Sequence, residues 1–212
     1  MFTNANLTDV MHSISSALLT PVIIVLFILL GLTIIMLGTL VAELITERRH
    51  MKVNLPRLLN QLQEPGVDLA KVIRESALLK RQKTALLTVC AQKNLSPLKR
   101  ESLAAELLEA ERAHYELRTK VTDLIMRLGP MFGLLGTLIP LGPGIIALGR
   151  GDTYTLSTSL LTAFDTTISG LIAAALSTLI SAIRKRWYHR YMGYLDSVME
   201  CLLEAMEEHE TA

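Results

Sequence analysis

The sequence predicts an all-α integral membrane protein: three transmembrane helices with long cytoplasmic helical extensions, the N-terminus outside and the C-terminus inside. Three observations carry this. The apolar residues, 50% of the chain, are gathered into long blocks and give a mean hydropathy of +0.40. Basic residues gather on one side of those blocks, the other flanks carrying only Arg150 with Asp152 and the N-terminal Asp9. The polar stretch between the first and second blocks has helical spacing.

Pro21 to Ala42 runs about 22 residues without a charge, and at about 1.5 Å per residue it spans a hydrocarbon core of about 30 Å. It is too long for a signal-peptide core, and Asp9 stands before it where a basic region would be needed, so it is expected to be retained. Leu128 to Gly149 and Leu156 to Ile183 are also long enough to cross, the latter interrupted only by Asp165. Arg48, Arg49 and Lys52 follow the first block, Arg118, Lys120 and Arg127 precede the second, and Arg184, Lys185, Arg186 and Arg190 follow the third. This places those three ends inside and residues 150–155 outside, in a cell (inner) membrane.

The expected organisation is an outer segment 1–20, spans 21–42, 128–149 and 156–183, an outer loop 150–155, a cytoplasmic segment 43–127 and a cytoplasmic C-terminal helix 184–212. In segment 1–20, Leu7, Val10, Met11, Ile14 and Leu18 recur at helical spacing, as in an interfacial helix or an extension of the first span. Asn6-Leu7-Thr8 matches a glycosylation sequon, a short pattern that chance also supplies. In the cytoplasmic segment, Pro65-Gly66 marks a turn and Val67 to Ala91 reads as one helix. Ser96-Pro97 supplies an N-cap and first-turn proline for a helix running to the second span. The segment reads as a stalk, with Lys99, Arg100, Glu101, Glu106, Glu109, Glu111 and Arg112 on its solvated face. Trp187, Tyr188, Tyr191 and Tyr194 read as interfacial aromatics, and Glu200, Glu204, Glu207, Glu208 and Glu210 place acid at a helix C-terminus, against the macrodipole.

Several function classes fall away. A net charge of +1 gives no signature for nucleic acid. The five histidines show no ligand spacing, so neither a metal nor another cofactor is expected, and Cys90 and Cys201 read as inert thiols. Nothing resembles an enzyme motif, and the internal repeats usual in small-molecule transporters are missing. Arg150-Gly151-Asp152 is ordinary turn chemistry.

The second span carries Gly129-Pro130-Met131-Phe132-Gly133-Leu134-Leu135-Gly136-Thr137, then Pro140, Gly142, Pro143 and Gly144. Gly129 and Gly133 form a small-xxx-small pair for close helix approach. Pro140 leaves the Gly136 carbonyl without its helical donor, a backbone tolerated at membrane depth only against protein or water. On the third span Thr155, Thr158, Thr162, Asp165, Thr166, Ser169 and Ala173 fall on one face at 100° per residue. Asp165 lies about 13 Å along the helix from Leu156, where an ionised carboxylate costs about 2.5–3.5 kcal/mol, so it is expected to face protein or water.

Gly133-Leu-Leu-Gly-Thr137 with Gly129-Pro130, and Ala163-Phe-Asp-Thr-Thr-Ile-Ser-Gly-Leu171, resemble the MotA/TolQ/ExbB proton channel family over residues 124–190. Three spans with a cytoplasmic segment after the first resemble its TolQ/ExbB branch. The resemblance implies a pentamer of this chain around a dimer of a single-span, ExbD/TolR-like partner, whose membrane aspartate accepts protons and drives rotation or force transfer. It also implies that Thr137 is the second-span pore threonine and that Thr167, three residues before Gly170, is the third-span one, with Thr166 the neighbouring alternative. The branch carries a glutamate five residues before that threonine; here the position is Thr162, and the acid is Asp165. Either Asp165 faces the pore at a shifted register or it pairs between subunits, and the ion is a proton or sodium. The competing class is a structural scaffold whose polar face only packs helices.

Overall fold

A computed structural model describes residues 10, 13–14, 16–47, 54–64, 67–92 and 94–211. The sequon at Asn6, the Pro65-Gly66 turn and the basic group Arg48, Arg49 and Lys52 lie outside them. Among the described residues every regular element is helical: α1 (Leu19–Glu47), α2 (Leu55–Leu62), α3 (Leu69–Glu75), α4 (Lys80–Ala91), α5 (Pro97–Gly149) and α6 (Thr153–Thr211). Three of these, α1, α5 and α6, contain stretches long and apolar enough to cross a membrane.

The chain divides into two compact units, one of residues 1–39 and 120–182, the other of 40–119 and 183–212. The first unit holds the apolar stretches. Phe27, Ile35, Met131, Leu134, Leu161 and Phe164 on its three helices are exposed, as suits surfaces solvated by lipid or by another apolar protein. Inside it, Leu29 of α1, Ile125 of α5 and Ala173 of α6 form a buried apolar layer, flanked by Val25, Val121, Leu128 and Phe132.

α5 stays helical through Pro130, Pro140 and Pro143 and ends at Gly149. The ending follows from Gly151, whose φ of +74° only glycine adopts without strain. That conformation turns Gly151 N–H onto the Leu148 carbonyl and Asp152 N–H onto the Ala147 carbonyl, at 3.0 and 2.9 Å. Asp152 then starts α6 by accepting from Thr155 N–H at 3.0 Å and from its hydroxyl at 2.5 Å. These bonds, the hydroxyl's first, hold the Asp152 carboxyl below its ordinary value.

The second unit is more than a bare stalk. Leu58, Leu62, Leu69, Ile73, Leu86 and Val89 from the short helices α2–α4 share one core with Leu195, Val198, Met199 and Leu202 of α6. The expected single helix over 67–91 is broken at residues 76–79. Ser76 is extended, its hydroxyl bonded to the Ile73 carbonyl at 2.6 Å, and the Gln82 side chain accepts from Leu79 N–H at 3.2 Å to open α4. Gln82, itself buried, also donates to the Tyr191 carbonyl at 2.9 Å. The expected start of α5 holds, with Arg100 N–H bonded to the Ser96 carbonyl at 3.0 Å.

Two of the charges expected on a solvated face are buried. Arg100 is 1% exposed and donates to the Leu95 carbonyl at 3.0 Å, and Glu111 is gripped by Arg81 through Nε and Nη2. Tyr188 and Tyr191, expected at a lipid boundary, are buried with Tyr115, which stacks on Tyr188 at 4.6 Å between centroids. Cys90 and Cys201 are buried thiols outside any disulfide, and burial raises the Cys201 thiol above its ordinary value.

Candidate functional site

The glycines of the second span set how closely α5 and α6 approach. A β-carbon on Gly129 would lie 2.6 Å from the Gly170 carbonyl oxygen, and one on Gly170 would collide with the Gly129 carbonyl. One on Gly136 would lie 2.6 Å from both Cβ and Oγ1 of Thr166, whereas Gly133 leaves ordinary contact, 3.4 Å to the Thr166 carbonyl. Gly129, Gly133 and Gly136 therefore form the groove into which Thr166 and Gly170 fit. Pro140 is buried on α5, one turn beyond Gly136, whose carbonyl it deprives of a helical donor.

The threonines divide around α6. Thr167 faces α5, donating to the Ala163 carbonyl at 3.2 Å with the Gly133 carbonyl at 3.5 Å. Thr162 donates back to Thr158 at 3.0 Å, and Thr166 to Thr162 at 3.0 Å and Ala163 at 2.9 Å. On α5, Thr137 is half-buried and donates to the Leu134 carbonyl at 2.6 Å. All four hydroxyls thus have their protons engaged on main-chain carbonyls and present oxygen lone pairs outward.

Asp165 lies on the other side. Two residues before Thr167, it is about 200° around the helix. It sits in a cleft of about 220 Å³ whose polar lining is Thr162, Asp165, Thr166 and Ser169, facing Ile23, Leu26, Phe27 and Leu30 of α1. Four residues of the expected polar face, Thr162, Asp165, Thr166 and Ser169, thus line one cleft, which opens against α1. Thr166 is the shared residue, lining this cleft while touching Gly136.

Two polar pairs were missed in the sequence. Ser181 donates to the half-buried Asp123 carboxylate of α5 at 2.6 Å, and Ser177 shares a 3.3 Å hydrogen bond with Thr33 of α1, the latter pair fully buried. A signal existed: Ser177 and Ser181 continue the four-residue series of Asp165, Ser169 and Ala173.

In the second unit, Glu43 accepts from Arg184 at 3.2 Å and pairs with Arg118 at 3.6 Å, with Arg184 only 3% exposed. Burial beside Glu43 raises the Tyr188 hydroxyl above its ordinary value. The bond to Glu111 raises Arg81 in turn. Nearby on α5, His114 is held below the ordinary histidine value by burial and then by the charges of Arg81 and Arg118.

No curated protein matches the chain. A model of the MotA/TolQ/ExbB proton channel family matches residues 70–197, more than half of the 212. The match takes in the Gly129–Gly136 groove, Thr137, Asp165 and the Thr166–Gly170 turn together with most of the helical unit that precedes them, and the chain belongs to the MotA/TolQ/ExbB proton channel family.

Proposed function

We propose that this chain is the ring-forming stator subunit of an ion-driven membrane motor of the TolQ/ExbB-like branch. Five copies surround a single-span partner, ExbD/TolR-like and bearing a membrane aspartate, and protons moving down their gradient drive the partner's rotation or force transfer. Each charge supplies about 2.3 kcal/mol per 100 mV, enough to bias a conformational step. The chain lies in the inner membrane with residues 43–127 and 184–212 in the cytoplasm, as the basic residues around Arg118 and Arg184 favour. It works by conduction and not as an enzyme.

The observation that carries this reading is the face of α6 itself. A carboxylate and three hydroxyls at mid-span line a cleft walled by α1, while Thr167 and Gly170 meet α5 on another side. A lone helical packing surface has no need of the acid. Thr137, Thr162, Thr166 and Thr167 offer oxygen acceptors to a water wire or a desolvated ion, and Asp165 supplies an exchangeable proton site.

The test is ion flux in vesicles containing the ring and its copurified partner. Thr137→Val and Asp165→Asn should assemble as pentamers yet lose most proton-driven function. Sodium dependence of the wild-type flux would reassign the ion. Full activity in the double variant, or a stable monomer in mild detergent, would falsify the stator reading. The scaffold would then stand, a role suited to hydroxyls bonded to their own helix.

A further inference from the structure

The two walls of the Asp165 cleft differ in chemistry. On α6, no group among the described residues is hydrogen-bonded to or ion-paired with the Asp165 carboxylate, and the Ser169 hydroxyl beside it makes no hydrogen bond either. Thr162 and Thr166 keep their protons on carbonyls of their own helix, so they present only lone pairs. This wall offers one negative charge and several oxygen acceptors. On α1, the facing wall is Ile23, Leu26, Phe27 and Leu30, without a polar side chain.

A carboxylate without a partner in an apolar setting is costly, and a cation seated against it relieves that cost. The spans of a second copy cannot supply one, because residues 21–42, 128–149 and 156–183 contain no lysine, arginine or histidine. A hard metal ion needs oxygens on every side, about six to eight of them for calcium, and the α1 wall has none to give. A primary ammonium needs acceptors on one side only. Its three N–H donors match the carboxylate and hydroxyl oxygens of α6, and an alkyl chain behind it covers the apolar wall of α1. Size points the same way. The cleft holds about 220 Å³, less than the 300–1,000 Å³ typical of drug-sized ligands, and at about 30 Å³ per water it matches roughly seven water-sized groups. An amine on a chain of roughly six carbons has that bulk.

We propose that the cleft between α1 and α6 is a binding site for a small amphipathic amine. Asp165, Thr162 and Ser169 hold its ammonium group, and Ile23, Leu26, Phe27 and Leu30 receive its alkyl chain. Binding needs the fold alone and stands whether or not the ring conducts. Where the ring does conduct, the amine takes Asp165 as its counter-ion and so removes that carboxylate from proton exchange.

The experiment is a titration of the detergent-solubilised chain with hexylammonium chloride, followed by the midpoint of thermal unfolding. Hexanol and sodium chloride at equal concentrations are the controls. Hexylammonium should raise the midpoint saturably, and neither control should do so. The half-saturating concentration should rise at least ten-fold in Asp165→Asn. It should rise as much in Ile23→Trp, which fills the apolar side and keeps the carboxylate. No shift in the wild type, an equal shift with hexanol, or an unchanged response in Asp165→Asn would overturn the site. An equal shift with sodium chloride would overturn it as well, since the cleft would then be taking a metal ion. Should Asp165→Asn not fold, Ile23→Trp decides, and an unchanged response there overturns the site. Proton flux in vesicles keeps the conducting reading separate: hexylammonium that binds as expected yet leaves flux unchanged upholds the site and takes Asp165 out of the ion path.

Discussion

Gly136 and Thr166 touch across α5 and α6 so closely that a methyl group on the glycine would lie 2.6 Å from the threonine's Cβ and Oγ1. Real β-carbons do not approach that near, and Thr166 is β-branched with its hydroxyl engaged on its own helix, so it has little room to turn away.

Gly136→Ala should therefore push the helices apart and destabilise the protein by about 1–3 kcal/mol, the usual cost of overpacking. Gly170→Ala should be at least as damaging, because its neighbour is the Gly129 backbone carbonyl. Gly38→Ala is the control: nothing lies within 4 Å of its new methyl, and alanine is the better helix former by about 0.5–1 kcal/mol. Thermal unfolding in detergent should rank Gly38→Ala at or above wild type and the other two below it. Equal melting of Gly170→Ala and wild type would refute the close approach.

Glu43 is the shared anion of Arg184 and Arg118. Removing it takes a carboxylate from the nearly buried Arg184 guanidinium, which is costly, whereas Arg118 is half-exposed and can turn to water. We expect Glu43→Ala to lose about 2–4 kcal/mol and Arg118→Ala about 1 kcal/mol or less, measured by denaturation of the detergent-solubilised protein. A larger loss for Arg118→Ala would mean that the pairing is organised otherwise.

His114 gives the second unit a pH dependence with a definite sign. Its Nε2 is enclosed without a hydrogen-bond partner among the described residues, and its folded value lies below the ordinary 6.5. A histidine depressed in the fold takes up protons more readily when unfolded. Its stabilising contribution is thus complete above about pH 6.5 and is lost as the pH falls from there toward the folded value. Unfolding midpoints should decline on acidification below 6.5, and His114→Phe should flatten that slope. Parallel slopes for the two proteins would remove His114 as the cause.

The three helices long and apolar enough to cross a bilayer were legible because a crossing demands about 20 apolar residues in a row, a requirement written directly in the sequence. So was the shared face of Thr162, Asp165, Thr166 and Ser169, since helical spacing alone brings them together. Which way that face turns was not, because the partner helix is chosen by packing: Gly129, Gly133 and Gly136 draw the Thr167–Gly170 side toward α5 and leave Asp165 opposite α1. The contact of Asp123 with Ser181, 58 residues later, was not legible either, because no local pattern brings the two together. The break at residues 76–79 contains neither proline nor glycine. It is fixed by Gln82, which caps α4 and reaches Tyr191, a contact no local pattern announces. Arg100 and Glu111 were misplaced for the same reason, their burial depending on neighbours far along the chain.

Pro130, Pro140 and Pro143 have a mechanical consequence. Each removes one N–H rung from α5, so the carbonyls of Met126, Gly136 and Ile139 lose the bonds that would brace the helix along those sides. α6 contains no proline and loses no rung in this way. The two helices therefore differ in bending stiffness as well as in sequence. Strain imposed on the pair is taken up first in α5, on either side of Thr137, as curvature. α6 holds its geometry, and Thr166, Thr167 and Asp165 keep their mutual spacing while the wall beside them flexes.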